Sequence, residues 1–253
     1  ITKSLEKAMI PVHNRPVVDY VVQDVIKAGI TKIGFVVNKD YKQLKGYYEP
    51  SKVLEDYQKE QGKTDMLSLI DTLPDNVELS FIVQELDGKY GTAVPLSLAK
   101  DFIGDDEQFI YTTGDDVRFG TVGSSEFGDP NKDMGSDYPS GIIGYPVPKE
   151  QVSMYGIIEH TDRMQRIVEK PKPEEVNSNF VNVSKYVLHK DIWPILEEYM
   201  SRTDLGHEYY VTDPVTELAK KQKVFVRQSQ GEYLDSGTLD NWLAANQFLS
   251  DNN

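Results

Sequence analysis

Three short segments of this chain carry the residue types that phosphate chemistry requires. Gly114-Asp115-Asp116 follows the apolar run Phe109-Ile110-Tyr111. A strand that ends in a glycine-acidic turn sets carboxylates at the carboxyl edge of a sheet, where open α/β folds bind ligands. A second carboxylate, Asp235 in Leu234-Asp235-Ser236-Gly237, lies far along the sequence, and Glu169-Lys170-Pro171 comes between them. Two acidic turns with a lysine between suit a hard divalent cation that holds phosphates. Taken singly, each segment also reads as an ordinary turn or a solvated strand end, because Gly and Asp are common turn formers.

Composition narrows the partners. The chain has 253 residues and a formal net charge of -14, which argues against duplex nucleic acid and anionic membrane as partners. An acidic protein that handles phosphates must bring a cation or local lysines to the site. With no cysteine there is neither a disulfide framework nor a thiolate metal site or nucleophile. No apolar run is long enough to cross a bilayer and no signal-peptide pattern opens the sequence, so the expectation is a soluble, cytoplasmic protein. His13, His160, His189 and His207 show no metal-ligand spacing, and Trp193 and Trp242 read as core residues on helices.

The elements that must position these segments alternate. Apolar residues at 17, 18, 21, 22, 25 and 26 have a helical period, with Gly29 as the C-cap. Ile33 to Val37 reads as a buried parallel strand, Tyr41 to Asp71 as charged and broadly helical, and Val77 to Val83 as the next strand. Thr92 is expected to cap a helix through Ala99, and Gln108 to Thr113 leads into the acidic turn. This β-α alternation predicts an α/β fold, Rossmann-like and doubly wound, with a mixed but mostly parallel sheet. Thr121 to Ser140, rich in Gly, Ser, Asp and Pro, reads as a loop. Strands follow at 142–147, 156–159, 166–169, 180–188 and 224–226, and helices at 191–200, 214–221 and 239–249. Thr212 is a capping residue ahead of Pro214. This second half is α+β in character. The opening Ile1-Thr2-Lys3 runs straight into the first helix, whereas a doubly wound sheet begins with a central strand; an upstream strand and loop are therefore expected.

In their order and spacing these segments resemble the bacterial UTP-glucose-1-phosphate uridylyltransferases, within the nucleotidyltransferases that make NDP-sugars. The likeness rests on Thr2 to Val12, Asp19 to Val22, Ala28-Gly29-Ile30, Val83-Gln84, Gly91 to Val94, Gly114-Asp115-Asp116, Tyr155 to Ile158, Val168 to Pro173, Ser178-Asn179, Tyr186 to Leu188, Glu208 with Thr212-Asp213, and Asp235 with Gly237. It implies that a sugar 1-phosphate oxygen attacks the α-phosphorus of UTP and that pyrophosphate leaves. Asp115 and Asp235 would hold Mg²⁺, Lys7 would touch nucleotide phosphates, and Lys170 would meet the phosphate of glucose 1-phosphate. Gln84 would read the uracil edge, Gly91 would let the base lie against backbone, and Gly114 would belong to the nucleotide site. Gly156, Glu169, Asn179 and Glu208 would serve the sugar phosphate.

The resemblance further implies a nucleotide-binding portion at 1–140, a sugar-phosphate portion at 141–253, and a homodimer or homotetramer. The family's glycine-rich loop precedes Ile1. Glu6 and Ala8 stand where proline and glutamate are usual, Asn182 and Ser184 where an apolar residue and glycine are, and His207 to Val211 departs from the usual pattern. A thymidylyltransferase or other NDP-sugar synthase, or a non-catalytic nucleotide-sugar-binding relative, is the alternative reading.

Overall fold

Five valines on one face of the first helix set the position of the sheet. In the computed structural model, which describes residues 4–49, 51–66, 73–85, 88–119, 125–128, 138–203, 205–233 and 238–252, α1 (Val17–Lys27) buries Val17, Val18, Val21, Val22 and Val25. Their three-and-four spacing forms a single apolar stripe. Gly29, at φ 87°, ends the helix. Ahead of α1 lies a small hairpin of β1 (Pro11–Val12) and β2 (Arg15–Pro16).

The next strands form a parallel pair, β3 (Lys32–Val37) with β4 (Glu78–Val83), connected through α2 (Lys42–Tyr48) and α3 (Lys52–Glu60). Then come α4 (Ala93–Leu98), α5 (Lys100–Ile103), β5 (Gln108–Thr112) and the short β6 (Arg118–Phe119). The larger sheet is built from β7 (Ser140–Pro146), β8 (Gly156–His160), β9 (Met164–Glu169), β10 (Phe180–His189) and β11 (Val224–Gln228), in the order β11-β7-β10-β8-β9, with β5 also on β10. After β10 run α6 (Ile192–Ser201) and α7 (Thr212–Lys221). The described chain closes with β12 (Glu232–Tyr233), paired with β6, and α8 (Leu239–Asn252).

The sheet is mixed, as expected, but not mostly parallel among the described residues. Only β3–β4 and β7–β11 are parallel ladders; β5, β7 and β8 all pair antiparallel with β10, and β8 with β9. The cause is connection length. A parallel neighbour needs a crossover of a dozen or more residues, whereas β8 and β9 are joined by residues 161–163 alone.

Two packing arrangements position the site. Leu96, Leu188, Ile192, Leu196 and Leu218 form a core between the large sheet and α4, α6 and α7. A buried polar network ties α1 to the second half. Lys185 on β10, 2% exposed, lies 2.8 Å from Asp24, and the other Asp24 oxygen accepts the Glu126 N–H at 2.8 Å. The Glu126 carboxylate in turn accepts from the Ser229 hydroxyl and from the N–H groups of Gln230 and Gly231, just before β12.

The outer edge of β3 and the edge of β5 away from β10 have no strand partner among the described residues, and both border one cavity of about 690 Å³.

Candidate active site

Lys7 and Asp115 come from opposite ends of the first half and meet. Lys7 opens a single 3-10 turn ahead of β1, and Asp115 follows β5; the Lys7 ammonium forms an ion pair with Asp115 Oδ2. The acidic turn is held from two sides. The Thr113 N–H donates to Ser184 O at 3.3 Å on β10, and the Thr113 hydroxyl donates to Asp116 Oδ2 at 3.0 Å. Gly114 faces α1, where a Cβ would stand 3.5 Å from Val18 Cγ2. The carboxylates are therefore fixed at the end of a strand, on the side of the sheet that also presents Lys7.

The second cluster is built on β8, β9 and the start of α7. Glu169 ends β9 largely buried, and the Thr212 hydroxyl donates to its Oε1 at 2.8 Å. Burial pushes the Glu169 carboxyl above the ordinary 4.5; the Thr212 hydrogen bond and the Lys170 charge oppose this, while Asp213 and Glu208 add to it. Gly156, directly across the ladder, leaves room for that carboxylate: a Cβ there would sit 3.0 Å from Glu169 Oε1. Lys170 is exposed and adopts φ 43°, with its N–H donated to Tyr155 O at 3.0 Å. A non-glycine residue with positive φ is strained, and such strain concentrates at functional positions. Close by, the Tyr199 hydroxyl donates to Asp213 Oδ2 at 2.6 Å, and Glu208 is hydrogen-bonded by the Tyr90 phenol.

Buried Tyr186 feels the charge of both clusters. Its phenol is driven upward first by burial, then by Glu169, Tyr111 and Asp116, while the Asn182 amide donates to its oxygen at 2.6 Å. Asn182 also opens a bulge in β10: its Oδ1 accepts the Ser184 N–H at 3.0 Å, and Ser184 sits at φ 53°. Glycine in the related pattern fits such a backbone freely; serine fits it under strain.

The remaining expected positions are distributed as follows. Gln84 stands at the carboxyl end of β4, its N–H donated to Val37 O at 2.7 Å. Gly91 has φ 124°, and the backbone that approaches it is that of Tyr209: a Cβ would lie 2.6 Å from Tyr209 N and O. Around this crossing the Tyr209 N–H donates to Tyr90 O and the Ala93 N–H to Tyr209 O. Asn179 donates its amide to Val147 O at 2.6 Å, bracing the end of β7. Glu208 lies in the Tyr90–Tyr209 crossing. Asp235 and Gly237 lie outside the described residues; the strand that leads to them, β12, pairs antiparallel with β6, with Tyr233 opposite Arg118.

Thr92 takes the N-cap position of α4 as expected, yet neither threonine hydroxyl caps its helix. The Thr92 hydroxyl accepts the Val211 N–H at 3.0 Å, and Thr212 is the first residue of its helix, with its hydroxyl given to Glu169. A buried carboxylate and an unpaired N–H are stronger claims on a hydroxyl than a helix end that water can reach. The part played by Thr212 and Tyr186 was missed in the sequence for this reason. A threonine before Asp-Pro reads as a helix start, and a tyrosine in a strand reads as core.

Asp115 and Asp116 offer hard oxygen donors. Magnesium is bound through one or two carboxylates with substrate phosphates and water, so this turn fits it without a full protein cage.

Comparison with known proteins gives a consistent result. A family model described as nucleotidyl transferase matches residues 1–252. A UTP–glucose-1-phosphate uridylyltransferase of Streptococcus pneumoniae is 34% identical over 247 residues, covering 93% of this chain and 80% of the relative. A UTP-bound UGPase of Acinetobacter baumannii superposes with a TM-score of 0.85 at 25% identity, over 100% of this chain and 88% of that one. An apo UDP-glucose pyrophosphorylase gives 0.84 at 25% identity, over 99% and 92%. With the family model spanning nearly its whole length, this chain belongs to the nucleotidyl transferase family.

Proposed function

We propose that this protein joins UTP to glucose 1-phosphate, giving UDP-glucose and pyrophosphate. The observation that carries the reading is the meeting of Lys7 with Asp115 at the carboxyl end of β5, on a turn anchored to β10 through the Thr113 N–H and Ser184 O. The names of the relatives supply the substrates.

In the reaction a phosphate oxygen of the sugar 1-phosphate attacks the α-phosphorus of UTP in line. A new P–O bond forms, the bond to the β-phosphate breaks, and pyrophosphate carries away the electron pair. The protein has little covalent work to do; alignment and charge neutralisation supply the rate. Lys7 reaches the nucleotide phosphates, exchanging its contact with Asp115 for them. Lys170 sits one residue beyond Glu169 and presents a mobile point charge to the sugar phosphate. The Glu169 carboxylate, held by Thr212 and given space by Gly156, accepts hydrogen bonds from sugar hydroxyls, and Asn179 and Glu208 border that side. Gln84 and Gly91 border the base, with Gly114 beneath the phosphates.

Magnesium, held by Asp115 together with Asp235, supplies charge neutralisation on the phosphate oxygens when bound. The β6–β12 register supports this pairing, because Tyr233 lies opposite Arg118, three residues past Asp115 and two before Asp235 in sequence. Residues 1–140 serve the nucleotide and 141–253 the sugar phosphate. A homodimer or homotetramer acting in the cytoplasm completes the proposal; no helix among the described residues is long and apolar enough to cross a membrane.

The test is a panel of nucleoside triphosphates against sugar 1-phosphates with magnesium, read by pyrophosphate release. Release that is greatest for UTP with glucose 1-phosphate supports the assignment. Preference for another pair moves it to another NDP-sugar synthase, and binding of UDP-glucose without release from any pair rejects an enzyme.

A further inference from the structure

We infer that Glu6 is a positioning residue for the reaction: through a clasp on the first turn of α2 it fixes the backbone that carries Lys7. The inference rests on the reading that Lys7 meets the nucleotide phosphates. Four hydrogen bonds make the clasp. Glu6 Oε1 accepts the Gln43 N–H at 2.7 Å, and Glu6 Oε2 accepts the Leu44 N–H at 3.2 Å. In return Gln43 Oε1 accepts the Glu6 N–H at 2.8 Å, and the Gln43 amide donates to Ser4 O at 3.1 Å. Gln43 and Leu44 are the second and third residues of α2, where backbone N–H groups have no partner within the helix. A helix usually receives an acceptor for them from its own N-cap side chain. Tyr41, at that position, supplies none, so the acceptor comes from a residue 37 positions before Gln43.

The clasp bears on Lys7 because the chain is tied down on both sides of it. Glu6 O accepts the Met9 N–H at 2.8 Å and Lys7 O the Ile10 N–H at 3.2 Å, which closes the 3-10 turn. Ala8 and Met9 pack on the buried cluster of Val18, Val22, Leu44 and Tyr48. Apolar packing thus seats the chain after Lys7, and polar bonds to the same helix seat the chain before it. The Lys7 side chain is exposed and flexible, and it must leave Asp115 for phosphate; a fixed backbone confines where its ammonium can go. Glu6 holds φ −58°, a value that proline adopts by its ring. Proline, usual here in the related pattern, has no N–H to give Gln43 and no side-chain acceptor for α2. This chain therefore obtains from a second element the rigidity that the ring would supply in one residue, and the placing of Lys7 comes to depend on α2.

Two readouts on Glu6→Ala, Gln43→Ala and Glu6→Gln test this, with thermal midpoints taken alongside so that both are made on folded protein. The first needs no turnover: acetylation of the Lys7 amine by trace acetic anhydride, measured by mass spectrometry against the other lysines. Loosening of the Lys7–Asp115 pair should raise Lys7 labelling about threefold in Glu6→Ala and in Gln43→Ala. Glu6→Gln, which keeps an acceptor for the Gln43 N–H, should stay closer to the unaltered chain. The second readout is pyrophosphate release. Glu6→Ala should lower kcat/KM for UTP by about tenfold to a hundredfold, but by less than about twofold in a Lys7→Ala background, since a lysine already removed cannot be misplaced. Three results would overturn the proposal. They are unchanged Lys7 labelling in Glu6→Ala, a rise there without one in Gln43→Ala, which would make the charge of Glu6 the cause, and equal fold losses of kcat/KM in both backgrounds. If the unaltered chain releases no pyrophosphate, the reaction itself is rejected, and the labelling result alone decides whether Glu6 places Lys7.

Discussion

Thr212 gives its hydroxyl to a buried carboxylate, so its removal acts through Glu169. Thr212→Val keeps the shape and deletes the donor; we expect a loss of about 1–3 kcal/mol, while Thr212→Ser stays near wild type. The sign with pH follows from the raised Glu169 carboxyl. A carboxylate whose folded pKa is raised lowers stability as pH climbs from the ordinary 4.5 through the raised value. Without its donor that pKa rises further, so the deficit of Thr212→Val should be larger at pH 7 than at pH 4, as denaturant titrations at the two values will show. In turnover, KM for glucose 1-phosphate should increase as pH falls through a value above 4.5, because protonated Glu169 accepts fewer hydrogen bonds. At the first cluster, Asp115→Ala should reduce kcat/KM by about a hundredfold or more with the thermal midpoint little changed; normal turnover would remove Asp115 from the mechanism.

At the scale of elements, the β10 bulge and the Gly91 crossing shape the site. Ser184 occupies a left-handed backbone position at φ 53°. Ser184→Gly should relieve about 1 kcal/mol and raise the thermal midpoint, and a lower midpoint would mean the serine hydroxyl has an anchoring role. Gly91→Ala should go the other way, since a Cβ would lie 2.6 Å from backbone atoms that cannot move aside singly. Much of this layer was legible in the chain. The apolar spacing gave α1, β3, β4, β5 and α8 within a few residues, because burial on one face writes a period into sequence. Both threonines stand at helix starts as expected, but their hydroxyls go to Val211 and Glu169, because a hydroxyl chooses among partners that only folding brings near. The share of parallel strands was overestimated because β-α alternation in the first half does not extend to the hairpin-linked strands of the second.

Across the whole molecule, the Lys185–Asp24–Glu126 network holds the two halves in register. Lys185→Met alone leaves a buried carboxylate without its cation and should cost about 3–5 kcal/mol; combined with Asp24→Asn, the loss should shrink sharply. Equal losses in single and double variants, measured by chemical denaturation, would show that packing rather than charge dominates there. The same network ends at Ser229, Gln230 and Gly231, immediately ahead of β12, so Glu126→Gln should lower activity as well as stability.

The sequence by itself determined which residues have chemistry to offer. The acidic turn after an apolar strand, the Glu169-Lys170 pair and the ordered family segments were all readable, because strand-turn patterning and residue type are local properties. Only the tertiary structure decided which of them meet. Lys7 reaches Asp115, Thr212 holds Glu169, and Gly91 yields its space to Tyr209, since each contact joins elements whose separation along the chain carries no information about their separation in space.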